Sequence, residues 1–242
     1  MTTFKHLLAL IASSLIAGCS TPQDTAINDP YERTNREAHA FNKAVDKIAL
    51  KPIAQEYANI MPDPLEKGIS NFATNLSYPA DMVNYLLQGN LGEAMYSGNA
   101  FILNTVFGLG GLFDVASANG ARPRGTDFGE TMARWGATEG PYVELLLLGP
   151  STQRDAVGKI VDFALDPIGP LLGANERQAV QSASIGAGLS SRAQYNDMIE
   201  GVYNSADSYA QARLYYLQNR RYTLGIKETQ SDDPFEELYG KK

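Results

Sequence analysis

Apolar side chains recur at intervals of three and four residues through most of the chain, which is the spacing of one face of an α-helix. The first such face is formed by Ala38, Phe41, Val45 and Ile48. It predicts a helix that ends before Pro52, because proline cannot continue the hydrogen-bonding pattern of a helix interior.

A second helical face begins after Pro64, a residue that suits the first turn of a helix. Its apolar positions are Leu65, Ile69, Phe72 and Leu76. We predict that Pro79 ends this helix and that a shorter one follows from Ala80 to Leu87. Apolar or small residues return at helical spacing between Leu91 and Val106, which predicts a further helix.

The segment after this helix, Phe107 to Phe113, reads FGLGGLF. Three glycines give its backbone conformational freedom, while nearly all the other side chains are large and apolar. Turns exposed to water are normally built from polar residues, so this composition is unusual for a loop.

Glycine–proline pairs divide the second half of the chain. Gly140-Pro141 and Gly149-Pro150 bracket the strongly apolar run from Tyr142 to Leu148, which is too short to span a membrane. Thr152 and Asp155 then have the spacing of a capping box before an amphipathic helix. We expect that helix to reach Phe163.

Long helices are favoured from Ala174 to about Leu224. Alternation with period two, the pattern of a half-buried strand, is nowhere convincing. The sequence therefore predicts an all-α fold, a single domain of several amphipathic helices.

The N-terminal residues have the pattern of a lipoprotein signal. Lys5 precedes an apolar run from Leu7 to Ala17, and small residues lead to Cys19, the only cysteine of the chain. As a helix the run would rise only about 16 Å, against roughly 30 Å of bilayer hydrocarbon. We expect cleavage before Cys19 and covalent lipid on its thiol. Aspartate directly after the lipidated cysteine is the usual signal for retention in the inner membrane. This chain has Ser20 at that position, which favours the outer membrane.

These signals divide the chain into four parts. Residues 1–18 are the predicted signal peptide, 19–30 a lipidated tether, 31–224 the helical domain and 225–242 an acidic C-terminal tail. The tether is polar and contains two prolines, and the tail carries the run SDDPFEEL, which is typical of an exposed segment.

Charge and histidine content narrow the functional classes. The net charge is −7 and the basic residues are scattered, whereas binding to nucleic acid needs clustered cations that displace counterions. After removal of the signal, His39 is the only histidine, and we expect it to be a surface or groove residue of the first helix. Catalytic triads and metal sites need such residues at spaced positions. We therefore predict no enzyme activity, no metal and no cofactor apart from the lipid on Cys19.

Three blocks of the sequence resemble the MlaA (VacJ) family of outer-membrane lipoproteins. The first is DPYE from Asp29, followed by Asn35-Arg36 and Phe41-Asn42. The second is FILNTVFGLGGLFDVA, Phe101 to Ala116, and the third is TDFGETMARWGATEGPYVELLLLGPSTQRDAVG, Thr126 to Gly158. The resemblance covers roughly Asp29 to Leu224.

The resemblance implies helices that form a ring around a lipid channel in the outer membrane, on a lipid-anchored protein that faces the periplasm. Phospholipid misplaced in the outer leaflet would pass through the channel to a soluble periplasmic carrier (MlaC-like), and family members sit beside a trimeric porin. It also suggests residues for lipid contact, Phe107, Leu109, Gly110, Gly111, Leu112 and Phe113, and residues for conformational control, Asn35, Arg36, Phe41 and Asn42.

Two other functions are compatible with the residues alone. A structural or assembly lipoprotein of the cell envelope would use the apolar segments as a core and a partner surface, without a lipid path. A lipid-modifying enzyme would require an activated nucleophile, which the near absence of histidine disfavours. Without the resemblance the structural function would be preferred, and the long matched blocks favour phospholipid transport.

Overall fold

The computed structural model of the protein describes residues 27–118, 120 and 124–226. The predicted signal peptide, Cys19, most of the tether and nearly all of the acidic tail lie outside these residues. The described elements are α1 (Glu32–Val45), a π-helical segment (Asp46–Leu50), α2 (Lys51–Ile60), α3 (Asp63–Leu87), α4 (Leu91–Val106), α5 (Val115–Ala118), α6 (Phe128–Arg134), β1 (Tyr142–Leu145), β2 (Gly149–Thr152), α7 (Gln153–Ala164), a 3-10 turn (Gly169–Leu171), α8 (Ala174–Gln194), α9 (Asn196–Tyr203) and α10 (Ser208–Thr223).

The all-α prediction is confirmed, and several helix ends lie where the sequence predicted them. α4 has the predicted bounds, Leu91 and Val106, and the Asn90 side chain caps it by accepting from the Glu93 N–H. α7 begins after Thr152, whose hydroxyl accepts from the Asp155 N–H as the capping-box spacing requires, and it ends at Ala164.

The prediction that Pro79 ends a helix is wrong. α3 is one helix of 25 residues with Pro79 in its interior. A proline there removes the donor to the carbonyl four residues before it and normally costs about 3 kcal/mol. The neighbouring Tyr78 and Asp81 are both buried, so packing on each side of the proline holds the helix together.

The prediction that the first helix ends before Pro52 is also wrong. The helical backbone continues from α1 through the π-helical segment Asp46–Leu50 into α2, where Pro52 occupies the first turn. A π-helical segment is wider than an α-helix and is often found at functional positions. Here it places the side chain of Asp46 in the protein interior.

The structure also contains a β-hairpin that was not predicted from the sequence. β1 and β2 pair antiparallel, with Tyr142 opposite Thr152 and Leu145 opposite Gly149. The inward-facing positions of β1 are Tyr142 and Glu144, and the second of these is charged. An acidic residue at a buried position hid the alternation that would have predicted a strand.

The described part of the protein buries polar side chains and exposes apolar ones to an unusual degree. Large apolar side chains more than half exposed occur along α4 and in the following loop, and also at the hairpin tip and on α7. The fully or nearly buried set includes Asn35, His39, Asp46, Asn75, Asp81, Asn84, Glu130, Thr131, Glu144, Arg154, Asp155 and Arg192. No helix in the described part is both long enough and apolar enough to cross a bilayer.

A buried polar network joins α3 to α6 and α7. Asn84 donates to Asp162 Oδ1 at 2.9 Å and accepts from the Thr131 hydroxyl at 2.9 Å. Asp162 in turn accepts from the Phe128 N–H at the start of α6. Asp81 accepts from the Thr126 N–H at 3.1 Å. These side chains therefore have hydrogen-bond partners within the protein, as burial of polar groups requires.

Burial raises the pKa of Asp81 to about 6, with the charges of Asp162 and Asp127 acting in the same direction. The folded state therefore binds a proton more tightly than the unfolded state, in which the pKa is near its ordinary value of about 4. The stability of the fold should consequently fall as pH rises from about 4 to about 6.

We predict that Asp81→Asn removes this pH dependence and raises the free energy of unfolding above pH 7 by on the order of 2 kcal/mol. Asparagine keeps the acceptor for Thr126 without the buried charge. Urea unfolding in detergent between pH 4 and 8 measures the effect, with the exposed Asp197→Asn as control. Equal destabilisation by Asp81→Asn at every pH would contradict the prediction.

Candidate functional site

Asn35 and Asn42 lie two turns apart on α1 and hold the hairpin by hydrogen bonds to its backbone. Asn35 Nδ2 donates to the Tyr142 carbonyl at 3.1 Å, and its Oδ1 accepts from the Glu144 N–H at 2.9 Å. Asn42 Nδ2 donates to the Leu145 carbonyl at 2.9 Å, and its Oδ1 accepts from the Leu147 N–H at 2.7 Å. Each amide thus satisfies both a carbonyl and an N–H of the hairpin. We call this pair the asparagine clamp.

His39 and Glu144 meet between the two asparagines. His39 Nδ1 lies 3.4 Å from Glu144 Oε1, and Nε2 lies 3.2 Å from the Ser208 hydroxyl on α10. The Tyr142 hydroxyl donates to the other oxygen of Glu144, and burial together with that carboxylate raises the pKa of Tyr142. His39 was predicted to be a surface or groove residue, but it is buried and joins α1, β1 and α10.

Arg36 connects the same helix to the start of α10. Its guanidinium donates to both carboxylate oxygens of Asp207, at 2.9 and 2.8 Å, and also to Glu32 at 2.7 Å. Asp207 caps α10 by accepting from the Ala210 N–H. The hydrogen bond from Arg36 lowers the pKa of Asp207 to about 2.

The structure therefore brings together three of the four residues suggested for conformational control. Asn35, Arg36 and Asn42 all face the hairpin or α10, whereas the Phe41 side chain is 49% exposed and takes no part in these hydrogen bonds. Their proposed role in conformational change stays a prediction.

A cavity of about 720 Å³ opens beyond the clamp. Four parts of the chain surround it. These are the continuous helical segment from α1 to α2, the tip of the hairpin, α9 and α10. Its lining is mainly apolar: Asn42, Val45, Asp46, Ala49, Leu50, Ile53, Leu147, Leu148, Gly149, Pro150, Arg192, Met198, Ile199, Val202, Tyr203, Ala212, Tyr215, Tyr216 and Asn219. We call it the hairpin cavity.

A buried ion pair forms part of the wall of the hairpin cavity. Arg192 on α8 donates to both carboxylate oxygens of Asp46, at 2.7 and 2.8 Å, and both side chains are about 6% exposed. This bond raises the pKa of Arg192. A bidentate pair of this kind is specific in geometry, but desolvation of both charges offsets much of its stabilising effect.

A second cavity, of about 690 Å³, lies between α3, the end of α7 and α8. It combines apolar side chains such as Leu76 and Val180 with polar ones such as Ser77, Asp166 and Arg177. Phe163, 87% exposed, stands at its edge. We call it the α3–α8 cavity.

The loop from Phe107 to Phe113 lies against α3 and turns its large side chains outward. Asn71 donates to the Leu112 carbonyl at 3.1 Å, while Phe107, Leu109 and Phe113 are each at least 60% exposed. None of the six residues suggested for lipid contact lines either of the two cavities. Their contact with lipid stays a prediction, and the exposure fits contact with a membrane better than the wall of a cavity.

Two of the loop glycines are explained by close approach as well as by conformational freedom. A Cβ on Gly108 would lie 2.2 Å from the Phe113 carbonyl oxygen, and one on Gly111 would lie 2.6 Å from the Asn75 side chain. Gly111 also has φ +102°, which disfavours other residues. The glycines let the loop fold tightly while its apolar side chains project.

Comparison with known proteins places these features in a family. A family model for the MlaA lipoprotein matches residues 27–223. The chain belongs to the MlaA lipoprotein family.

Several relatives support the assignment. The intermembrane phospholipid transport system lipoprotein MlaA of Shigella flexneri is 34% identical over 86% of this chain and 84% of its own length. That of Haemophilus influenzae is 32% identical over 98% and 100%. An uncharacterised protein of Rickettsia felis is 39% identical, but the match spans 59% of this chain and little more than half of that relative, 57%.

A solved structure is also similar. It was reported as the structural basis for maintenance of bacterial outer membrane lipid asymmetry, and it matches with a TM-score of 0.70 at 35% identity. The match covers 81% of this chain and 98% of the other.

Four charged residues around the asparagine clamp and the hairpin cavity were not predicted from the sequence. Glu144, Asp207, Asp46 and Arg192 all contact residues far away in the sequence. Only Glu144 had a visible signal, because it is the single charge within the apolar run from Tyr142 to Leu148.

We predict that Asn42→Ala loosens the hairpin. The substitution removes one of the two donors to the Leu145 carbonyl, which also accepts from the Leu148 N–H, and it removes the Asn42 acceptor of the Leu147 N–H. Each lost hydrogen bond costs about 0.5–1.5 kcal/mol. Hydrogen exchange in a peptide spanning residues 142–152 should accelerate by roughly tenfold. Asn59→Ala, at an exposed position of α2, is the matched control. Unchanged exchange in Asn42→Ala would show that the clamp does not hold the hairpin.

Proposed function

We propose that this protein is an outer-membrane lipoprotein that removes misplaced phospholipids from the outer leaflet and passes them to a periplasmic carrier. Membership of the MlaA family supports the proposal, as do two relatives that are lipoproteins of an intermembrane phospholipid transport system. The similar solved structure concerns outer membrane lipid asymmetry. Transport of this kind needs no covalent chemistry in the chain.

The observation that carries the proposal is the outward apolar surface of α4 and the loop after it. Leu91, Met95, Ile102 and Val106 lie at helical spacing on α4 and are each 57–68% exposed. The surface continues into the loop through Phe107 and Leu109. Soluble monomers rarely expose so extensive an apolar surface, and a bilayer is the environment that would cover it.

The polar interior fits the same setting. Backbone and side-chain polar groups in a membrane must find partners within the protein, and the network around Asn84 and Asp162 provides them. The proposed lipid path is the α3–α8 cavity, because it offers apolar walls for acyl chains beside polar groups such as Arg177 and Asp166. Family membership supports a ring of helices around such a path.

Anchoring and partners complete the proposal. Covalent lipid on Cys19 would tether the chain to the outer membrane, since several acyl chains hold a protein far more firmly than one. A neighbouring trimeric porin and a soluble MlaC-like carrier are the partners that the resemblance implies. The acidic net charge argues against nucleic acid as a partner.

The first prediction concerns the amount of phospholipid in the outer leaflet. Depletion of the protein should raise it, and the wild type should restore it. Cys19→Ala, which leaves no thiol to acylate, should not. Labelling of surface-exposed phospholipid in intact cells measures the effect. An unchanged outer leaflet on depletion would contradict transport and favour an envelope scaffold without a lipid path.

The second prediction concerns the apolar loop. Leu109→Glu should abolish complementation, because placing a charge in hydrocarbon costs about 3 kcal/mol. Leu109→Met keeps an apolar side chain of similar volume and is the control. Membrane fractionation should show both variants at wild-type abundance. Full complementation by Leu109→Glu would exclude this loop from contact with the bilayer interior or with transported lipid.

A further inference from the structure

The hairpin cavity combines apolar walls with cationic groups beside it. Most of its lining is aliphatic or aromatic, and its volume of about 720 Å³ lies within the range of small-molecule sites, about 300–1,000 Å³. Such a cavity favours an apolar ligand group. The α3–α8 cavity, the proposed transport path, shares none of these lining residues.

The charge lining the cavity is internally balanced. Arg192 and Asp46 satisfy one another through two hydrogen bonds, so this pair leaves no net charge for a ligand. Arg192 also reaches Asn196 at 3.3 Å and lies 3.7 Å from Glu200. A charged ligand group bound there would lose its water without gaining a protein partner, which costs free energy. The part of a ligand within the cavity should therefore be uncharged.

Positive charge accumulates beside Tyr203, which lines the cavity. The Lys43 and Lys47 ammonium groups lie 5.5 and 5.9 Å from the centre of the Tyr203 ring. Lys43 donates to the Tyr203 carbonyl at 2.6 Å and to the Ser208 hydroxyl at 3.2 Å, both of which are neutral. Within the described part of the chain neither ammonium lies within ion-pair distance of a carboxylate, and Lys47 is exposed. The nearby Glu200 pairs with Lys51 at 3.0 Å, and the hydrogen bond from Lys51 together with the charge of Lys47 lowers the pKa of Glu200. These groups can receive an anion without breaking an existing ion pair.

We infer that the hairpin cavity is a second phospholipid site, which holds one acyl chain while the phosphate contacts Lys47 and Lys43 beside Tyr203. An acyl chain is the uncharged apolar group that the walls select, and the phosphate is the anion that the lysines select. This inference rests on the proposed function, because it assigns to the same lipid a holding site apart from the transport path. The hairpin tip forms one wall, so the asparagine clamp positions it.

Photo-crosslinking in cells tests the site with the full-length lipidated protein. A benzophenone amino acid replaces Ile199, which lines the cavity, and in a parallel strain it replaces Ile102, on the exposed face of α4. The mass of each adduct distinguishes a glycerophospholipid from a free fatty acid or a lipopolysaccharide. The yield at Ile199 relative to Ile102 corrects for general contact with the membrane.

Two kinds of variant probe the two parts of the ligand. Ala49→Trp places a large side chain in the cavity and reduces the volume open to an acyl chain. Ala44→Trp, at an exposed position of the same helical segment, is its control. Lys47→Glu reverses the charge at an exposed position, and Lys47→Arg retains it. We expect Ala49→Trp and Lys47→Glu each to lower the relative yield at Ile199 by about fivefold or more, and the two controls to leave it unchanged.

The outcomes separate this inference from the proposed function. A phospholipid adduct at Ile199 that Lys47→Glu and Ala49→Trp both reduce supports the second site. No adduct, an adduct of fatty acid or lipopolysaccharide, or a yield that Lys47→Glu does not change overturns it. The rise in outer-leaflet phospholipid on depletion is measured in parallel. If the protein with an otherwise unaltered cavity gives no phospholipid adduct at Ile199 while depletion still raises outer-leaflet phospholipid, the second site alone is rejected. An unchanged outer leaflet rejects the proposed transport.

Discussion

Hydrogen bonds from two asparagine side chains to the backbone of a two-stranded hairpin hold in place the part of the molecule on which the hairpin cavity depends. A two-stranded hairpin is marginally stable in water without further contacts. Here Asn35 and Asn42 supply the edge of β1 with the partners that another strand would supply. The hairpin tip then forms a wall of the hairpin cavity, and its second strand leads into the cap of α7.

The same arrangement fixes the beginning and end of the described chain. Tyr142 packs with Tyr209 and Leu217 of α10, and Ile27 lies against this cluster. Asp29 accepts from the Arg213 guanidinium at 2.6 Å, so the segment next to the predicted tether is bound to the last helix. With this segment fixed, the proposed lipid anchor at Cys19 would lie within a limited distance of the folded part.

The proposed location in a membrane would account both for the burial of polar side chains and for the exposure of apolar ones. A bilayer offers no hydrogen bonds, so polar groups are satisfied inside the protein while aliphatic and aromatic groups can face outward. The helices of the described part are too short or too polar to cross the membrane, yet α4 and the loop after it present a continuous apolar surface. This combination suits a protein seated in a bilayer and able to admit single lipids.

Sequence periodicity located most helices because it is a local property. The bounds of α4 and the cap at Thr152 follow from residues within a few positions of one another. Periodicity failed at two prolines that were predicted to end helices. At Pro79 the helix continues because residues on both sides of the proline are packed in the interior, and before Pro52 it continues through a π-helical segment. It failed at β1 as well, because the buried Glu144 interrupts the apolar alternation and is tolerated only through its contacts with Tyr142, Asn42 and His39.

The sequence by itself determined the helical class and the family resemblance, and it predicted a lipoprotein signal at Cys19 and no nucleic acid as a partner. Tertiary structure alone decided which polar residues meet. Asn35 contacts β1 more than 100 residues away, and Asp46 pairs with Arg192 across 146 positions. Periodicity shows which face of a helix is apolar, but it carries no information about which distant segment covers that face. The cavities arise from those distant contacts, so their location could be found only in the folded chain.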